Sequence, residues 1–186
     1  MATDPHYQKI TVEEFLQMDF GDKKVELDDG VIVAMTGASG SHNRVQANLM
    51  RFLGQILRGS GCRPFGSDQG LRTAGSSTRY PDVAIYCGDM GPGGRDQRQV
   101  FEDPKVIFEV LSPSTYRHDE GTKLLEYQQL ESVDTIVFVD PDVETVRIVQ
   151  RLGPTSWRNE LFPRGVDAHL PSLGITIPKQ EIFARD

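Results

Sequence analysis

The sequence predicts an α/β fold in the broad sense, of the α+β kind: a mixed β-sheet flanked by helices. Three observations carry that prediction. Apolar, β-branched runs of strand length recur at Tyr80–Cys87, Lys105–Leu111 and Thr135–Asp140. Before them, Val45, Leu49, Phe52, Leu53 and Ile56 fall at helical spacing over a stretch long enough to cover a sheet face. The first two runs each hold a carboxylate, Asp82 and Glu109, where an unpaired buried charge is costly unless it is paired, protonated or bound to a cation.

Taken in order, Thr11 and Glu14 form a capping box, which predicts a short helix over Thr11–Met18 with Phe15 and Leu16 inward. Past Gly21, Val25–Leu27 and Val31–Met35 flank Asp28, Asp29 and Gly30. The Asp-Gly pair supplies the positive φ angles of a tight hairpin, with Glu26 on its first strand. Ser41 is the expected cap of the long helix, which runs to about Leu57. Arg44, Arg51 and Arg58 recur on it every seven residues, a stripe suited to phosphate contacts or a plain solvated face. Strands at Arg63–Ser67, Gly70–Thr73 and Tyr80–Cys87 read as a meander. Residues 88–103, rich in Gly, Arg, Asp and Gln without periodicity, read as a long surface loop.

The strand Lys105–Leu111 ends at Ser112, Pro113, Ser114 and Thr115, a turn and cap signal before a helix over Glu120–Leu130. Thr135–Asp140 and Glu144–Arg151 form a hairpin at Asp140, Pro141 and Asp142. A strand near Gly174–Ile177 and a helical turn opened by Pro178 come last.

With 186 residues, the chain is expected to be one domain, 1–186, with residues 1–10 a flexible N-terminus. Hydrophobic residues at 38% and charged residues at 25% exclude disordered, collagen-like and coiled-coil classes. A net charge of −7 argues against broad, sequence-independent DNA affinity, though a local basic groove is compatible with it. Cys62 and Cys87 are too few for a disulfide framework and read as small buried hydrophobes in a reducing compartment. No run reaches membrane-spanning length and no secretory signal precedes Ile10, so a cytoplasmic location is expected.

If their strands are neighbours, Asp82 and Glu109 can share a divalent metal. Mg²⁺ suits them because it takes oxygen ligands, keeps several waters, and can bridge a scissile phosphate and an attacking water. Pro81 limits pairing beside Asp82 and can splay the strand. Lys123, on the helix after the Glu109 strand, is the candidate for stabilising charge on the phosphate, with Tyr127 at i+4 to orient it. Asp68 and Asp119 read first as loop or cap carboxylates, and otherwise as supporting groups near the metal. His6, His118 and His169 lack zinc-ligand spacing, and Ser112 and Ser114 lack a Gly-x-Ser-x-Gly context.

The set Pro81, Asp82, Glu109 and Lys123 resembles the PD-(D/E)XK nuclease superfamily. More closely, Val25–Gly30, Ser41-His42, Tyr80-Pro81-Asp82 and Glu109-Val110-Leu111-Ser112-Pro113-Ser114-Thr115, followed by Lys123 and Tyr127, resemble the Uma-two-type putative restriction endonuclease family from about Ile10 to Val149. The resemblance implies a restriction-endonuclease-like mixed sheet flanked by helices. It implies Asp82, Glu109 and the Val110 carbonyl as ligands of Mg²⁺ (or Mn²⁺), Glu26 as a further acidic group, and Lys123 as the catalytic lysine. It also implies a homodimer. His42, in its helix's first turn, reads either as a phosphate or ligand contact or as an exposed histidine near a cap, and Arg44 is a candidate substrate contact. One departure stands out: the superfamily's lysine normally lies two positions after the glutamate, where this chain has Leu111.

The expected function is therefore Mg²⁺-dependent hydrolysis of phosphodiester bonds in DNA. The alternative is a nuclease-like binding or regulatory scaffold that does not cleave, favoured by Leu111 and the acidic balance.

Overall fold

The computed structural model describes residues 9–35, 37–73, 75–88, 95–112 and 119–185. The N-terminal part comprises α1 (Val12–Gln17), β1 (Val25–Asp28), β2 (Val31–Ala34) and α2 (Gly40–Ile56). The middle comprises β3 (Cys62–Gly66), β4 (Gly70–Arg72), β5 (Thr78–Arg79), β6 (Val83–Cys87), β7 (Val100–Phe101) and β8 (Val106–Val110). A wide, π-type turn over Asp119–Lys123 leads into α3 (Leu124–Gln129), followed by β9 (Thr135–Asp140), β10 (Thr145–Gly153) and β11 (Ser156–Phe162). Last come β12 (Ala168–Leu170), β13 (Ile175–Ile177) and α4 (Lys179–Phe183).

The local chemistry accounts for most of these elements. Thr11 and Glu14 close the capping box on α1. The β1–β2 turn uses Asp29 at φ 46° and Gly30 at φ 79°. Gly30 is also required by space, since a Cβ there would fall 2.6 Å from Lys9 Cβ. Ile10 donates its N–H to the Gly30 carbonyl at 3.1 Å, and residues 1–8 of the expected flexible N-terminus lie outside the described residues. The cap of α2 is Ser39, not Ser41: its hydroxyl accepts the His42 N–H at 3.2 Å, which places the helix start two residues earlier than expected.

The central sheet has the order β11-β10-β9-β8-β6-β3, antiparallel except for the parallel pair β8–β9. Parallel neighbours need a crossover, and the segment carrying α3 supplies it. A second sheet, β2-β1-β5-β4-β7, lies beside it, and β12–β13 form a small ribbon. The expected meander is therefore replaced by two sheets. Pro81 is the physical reason, because it has no N–H to continue a ladder: of the expected strand Tyr80–Cys87 only Val83–Cys87 forms, as β6, while β5 ends before it at Arg79 in the other sheet. The loop expected over 88–103 contains β7, and its residues 89–94 lie outside the described set. The turn Pro113–Thr115, His118 and His6 lie outside it as well. β11 and β12 escaped sequence reading because β11 is largely exposed at the sheet edge and β12 has only three residues.

Alternation on β8 sets the two faces. Val106, Phe108 and Val110 pack with Val45, Leu49 and Leu53 of α2 and with Val83, Ile85, Val137 and Val139. Ile107 faces the opposite side with Ile136, Phe138, Tyr127 and Leu71. Glu109 belongs to that second face.

Cys62 and Cys87, expected as free buried thiols, are joined in a disulfide. The antiparallel register sets them directly opposite each other on β3 and β6, a relation that a separation of 25 residues does not reveal. Among the described residues no helix is long and apolar enough to cross a membrane.

Candidate functional site

The chain crosses from one sheet to the other at Tyr80 and Pro81, and Asp82 sits at the mouth of β6 rather than inside a strand. Val83 pairs with Phe108, so one further step of antiparallel register brings Asp82 beside Glu109. Asp82 Oδ2 accepts the Val110 N–H at 2.7 Å and lies 3.2 Å from His42 Nε2. Gln46 Nε2 donates to the Asp82 carbonyl at 2.9 Å. His42 and Gln46 are one helical turn apart, so a single face of α2 holds both ends of Asp82.

Glu109 and Lys123 meet on the α3 side. Tyr127 donates its hydroxyl proton to Glu109 Oε1 at 2.6 Å. Lys123 Nζ lies 3.5 Å from Glu109 Oε1, 3.3 Å from Glu26 Oε1 and 3.2 Å from Asp119 Oδ1. Glu26 arrives from β1 in the second sheet, where it also accepts the Tyr80 N–H at 3.2 Å. Arg79, with no exposed surface, spans Glu26 at 3.5 Å, Asp28 at 2.7 Å and Glu126 at 2.6 Å. The wide turn before α3 contributes Asp119 and Lys123, and turns of this type recur at functional sites.

Burial and charge set the protonation states. Desolvation pushes the Glu109 carboxyl up to about 8; nearby Asp119 and Asp82 add to the shift, while Lys123 and the Tyr127 hydrogen bond oppose it. Burial disfavours the Lys123 ammonium, but Glu109, Glu26 and Asp119 outweigh that and hold it charged. Burial, then Glu109 and Glu26, raise Tyr127, which stays a phenol able to donate. His42 is raised despite burial, through its hydrogen bond to Asp82. Arg79 is likewise raised against desolvation by Glu126, Asp28 and Glu26.

The structure thus brings Asp82, Glu109, Glu26, Lys123, Tyr127, His42 and the Val110 main chain into one neighbourhood. Asp119, first read as a cap, is buried against Lys123, because the wide turn points it inward. Asp68 stays outside, in an exposed pair with Lys24 at 2.6 Å. The arginine stripe does not form one phosphate track: Arg51 is engaged by Glu181 of α4 at 2.7 Å, and the half-buried Arg44 has its Nε enclosed without a hydrogen-bond partner. Arg79, Glu126 and Gln46 were not anticipated. The one signal for Arg79 was a charged residue directly before Tyr80-Pro81-Asp82 in an apolar region.

Among the described residues no three Asp, Glu, His or Cys side chains form a ready metal cage. The donor chemistry still fits Mg²⁺, which binds through one or two carboxylates and keeps several waters. Asp82, Glu109 and the Val110 carbonyl could supply its oxygens. One feature of the structure is compatible with a cation here: Asp119 Oδ1 is buried without an aligned hydrogen bond, 3.2 Å from the Lys123 ammonium.

The Uma2 family model, described as "Putative restriction endonuclease", matches residues 12–178. Two uncharacterized proteins of Synechocystis are similar over most of their length. The protein slr1290 is 26% identical over 179 residues, covering 95% of this chain and 93% of that protein. The protein sll1609 is 30% identical over 151 residues, covering 80% and 84%. A crystal structure from Anabaena variabilis, described as a putative nuclease belonging to DUF820, superposes with a TM-score of 0.77 over 94% of this chain and 98% of that chain. At 18% identity, this is a likeness of fold.

Proposed function

Because the chain belongs to the Uma2 family of restriction-endonuclease-like proteins, we propose that it is a Mg²⁺-dependent endonuclease hydrolysing phosphodiester bonds in DNA. The observation that carries this reading is the buried Lys123 ammonium, 3.5 Å from Glu109 and 3.3 Å from Glu26. In this reading Lys123, from the neighbouring turn, takes the role of the lysine that position 111 lacks.

In this reading Asp82, Glu109 and the Val110 carbonyl hold the cation, which supplies Lewis acidity and a water of lowered pKa. Lys123 stabilises negative charge gathering on the phosphate oxygens. Glu26 and Asp119 keep that ammonium charged and aimed, and Arg79 braces Glu26 from behind. Tyr127 fixes the rotamer of Glu109 by donating to Oε1, and His42 does the same for Asp82 while offering a cation to phosphate. Arg44 is a further phosphate contact. A homodimer, with one site for each strand, and a cytoplasmic setting belong to the same proposal.

The test is cleavage of single-stranded, duplex and branched DNA with Mg²⁺ or Mn²⁺, comparing wild type with Asp82→Ala and Lys123→Ala. Metal-dependent cutting that falls at least a hundredfold in both variants is the expected result, about the size of losing one charge-stabilising group. Equal cutting by the variants would remove the assignment. Absence of cutting by wild type would favour the second reading, a non-cleaving binding scaffold, which Leu111 and the net charge of −7 support.

A further inference from the structure

A cavity of about 330 Å³ opens between α1, the start of β1 and the Tyr80 crossover. Its apolar walls include Phe15, Phe20 and Tyr80, with the Phe15 and Phe20 rings 5.3 Å apart. Lys23 and Lys24 also line it, as do Asp68 and Gln99. Lys24 is neutralised by Asp68 at 2.6 Å, but Lys23 makes no ion pair and the Gln99 side chain makes no hydrogen bond among the described residues. The cavity thus combines flat aromatic surface, an amide able to donate and accept, and an unpaired cation. Its size falls at the lower end for small-ligand sites.

Tyr80 connects it to the chemistry. The Tyr80 N–H is held by Glu26 at 3.2 Å, and the chain continues through Pro81 directly to Asp82. A group seated against the Tyr80 ring is therefore one short stretch of backbone from the carboxylates. We infer that this cavity receives an unpaired nucleobase of the DNA strand, stacked on the aromatic wall and read by Gln99, with Lys23 on an adjoining phosphate. Stacking on aromatic side chains and a basic contact to the backbone are the two components of single-strand recognition. A paired base cannot enter such a cavity without leaving its stack, so the inference specifies single-stranded or locally opened DNA as the substrate class. It rests on the endonuclease reading for its biological meaning, but binding can be measured without cleavage.

The experiment is fluorescence anisotropy of the full-length protein in EDTA with three labelled probes: a short single strand, the same strand with a run of abasic sites, and the duplex. The base-bearing strand is expected to bind about tenfold tighter than the abasic one, a preference lost in Phe20→Leu. Phe20 packs near the α1 core, so thermal unfolding followed by circular dichroism checks that this variant is folded. Lys23→Gln, at an exposed position, is the second variant: it is expected to weaken both single strands alike and to flatten the salt dependence. Equal affinity of wild type for base-bearing and abasic strands, tighter binding of duplex, or a folded Phe20→Leu that keeps the preference would each overturn the inference. Base-dependent binding without metal-dependent cleavage would instead sink the endonuclease reading and leave the cavity's role standing; cleavage without base preference would do the reverse.

Discussion

Glu109 is where chemistry and stability meet. Its carboxyl, raised to about 8 by burial and by Asp119 and Asp82, keeps a proton that the proposed cation would have to displace. Mg²⁺ affinity, measured by titration calorimetry, is therefore expected to rise with pH by up to about tenfold per unit between pH 6 and pH 8, then level off. A flat profile would show that Glu109 is not a ligand. The metal-free protein should run the other way. A carboxyl whose folded pKa lies above its ordinary 4.5 favours the fold below that value, and this contribution is lost as pH rises toward about 8. Lys123→Met leaves Glu26, Glu109 and Asp119 buried without their shared cation. It is expected to cost about 3–5 kcal/mol in metal-free urea unfolding at neutral pH, and less at pH 5, where protonation relieves the repulsion. These partnerships were only partly legible: Asp82, Glu109 and Lys123 stand out by residue type and setting, whereas Arg79 became visible only when β5 and α3 were packed together.

At the scale of elements, the site depends on two breaks in regular structure. Pro81 ends one ladder and starts another, and the wide turn at Asp119–Lys123 directs two consecutive-turn side chains inward. Beside the first break, the Cys62–Cys87 disulfide staples β3 to β6, the strand that opens at Asp82. Closing a loop of 25 residues is worth roughly 3 kcal/mol in the chain-entropy account. Reductant should lower the unfolding temperature by about 10 °C, and the double variant Cys62→Ser/Cys87→Ser should unfold at the same temperature with or without it. Two free thiols titrated in the denatured, unreduced protein would refute the bond. Periodicity shows that two strands exist, but not which residues face each other across them, so this pairing was missed.

For the whole molecule, the surplus of acidic groups gives a net charge of −7, which leaves little general attraction for a phosphate backbone. The proposed contact with DNA would then depend on local positive groups: a cation held by Asp82 and Glu109, with His42, Lys23 and Arg44. A restriction-type cut of both strands needs two such sites. Sedimentation equilibrium is expected to give twice the chain mass of 20.8 kDa, and a monomer at micromolar concentration would confine the protein to one strand per encounter.

The sequence by itself determined the fold class, the capping box of α1, the Asp-Gly hairpin and the acidic pair Asp82 and Glu109, because caps, turns and strand alternation act over a few residues. The Glu-Val-Leu-Ser-Pro-Ser-Thr run pointed to the family for the same local reason. Only the tertiary structure decided the split into two sheets, the disulfide, and the gathering of Glu26, Asp119 and Arg79 around Lys123. Those relations are between residues up to about a hundred positions apart, and sheet register and the packing of one face on another, rather than local preference, bring them together.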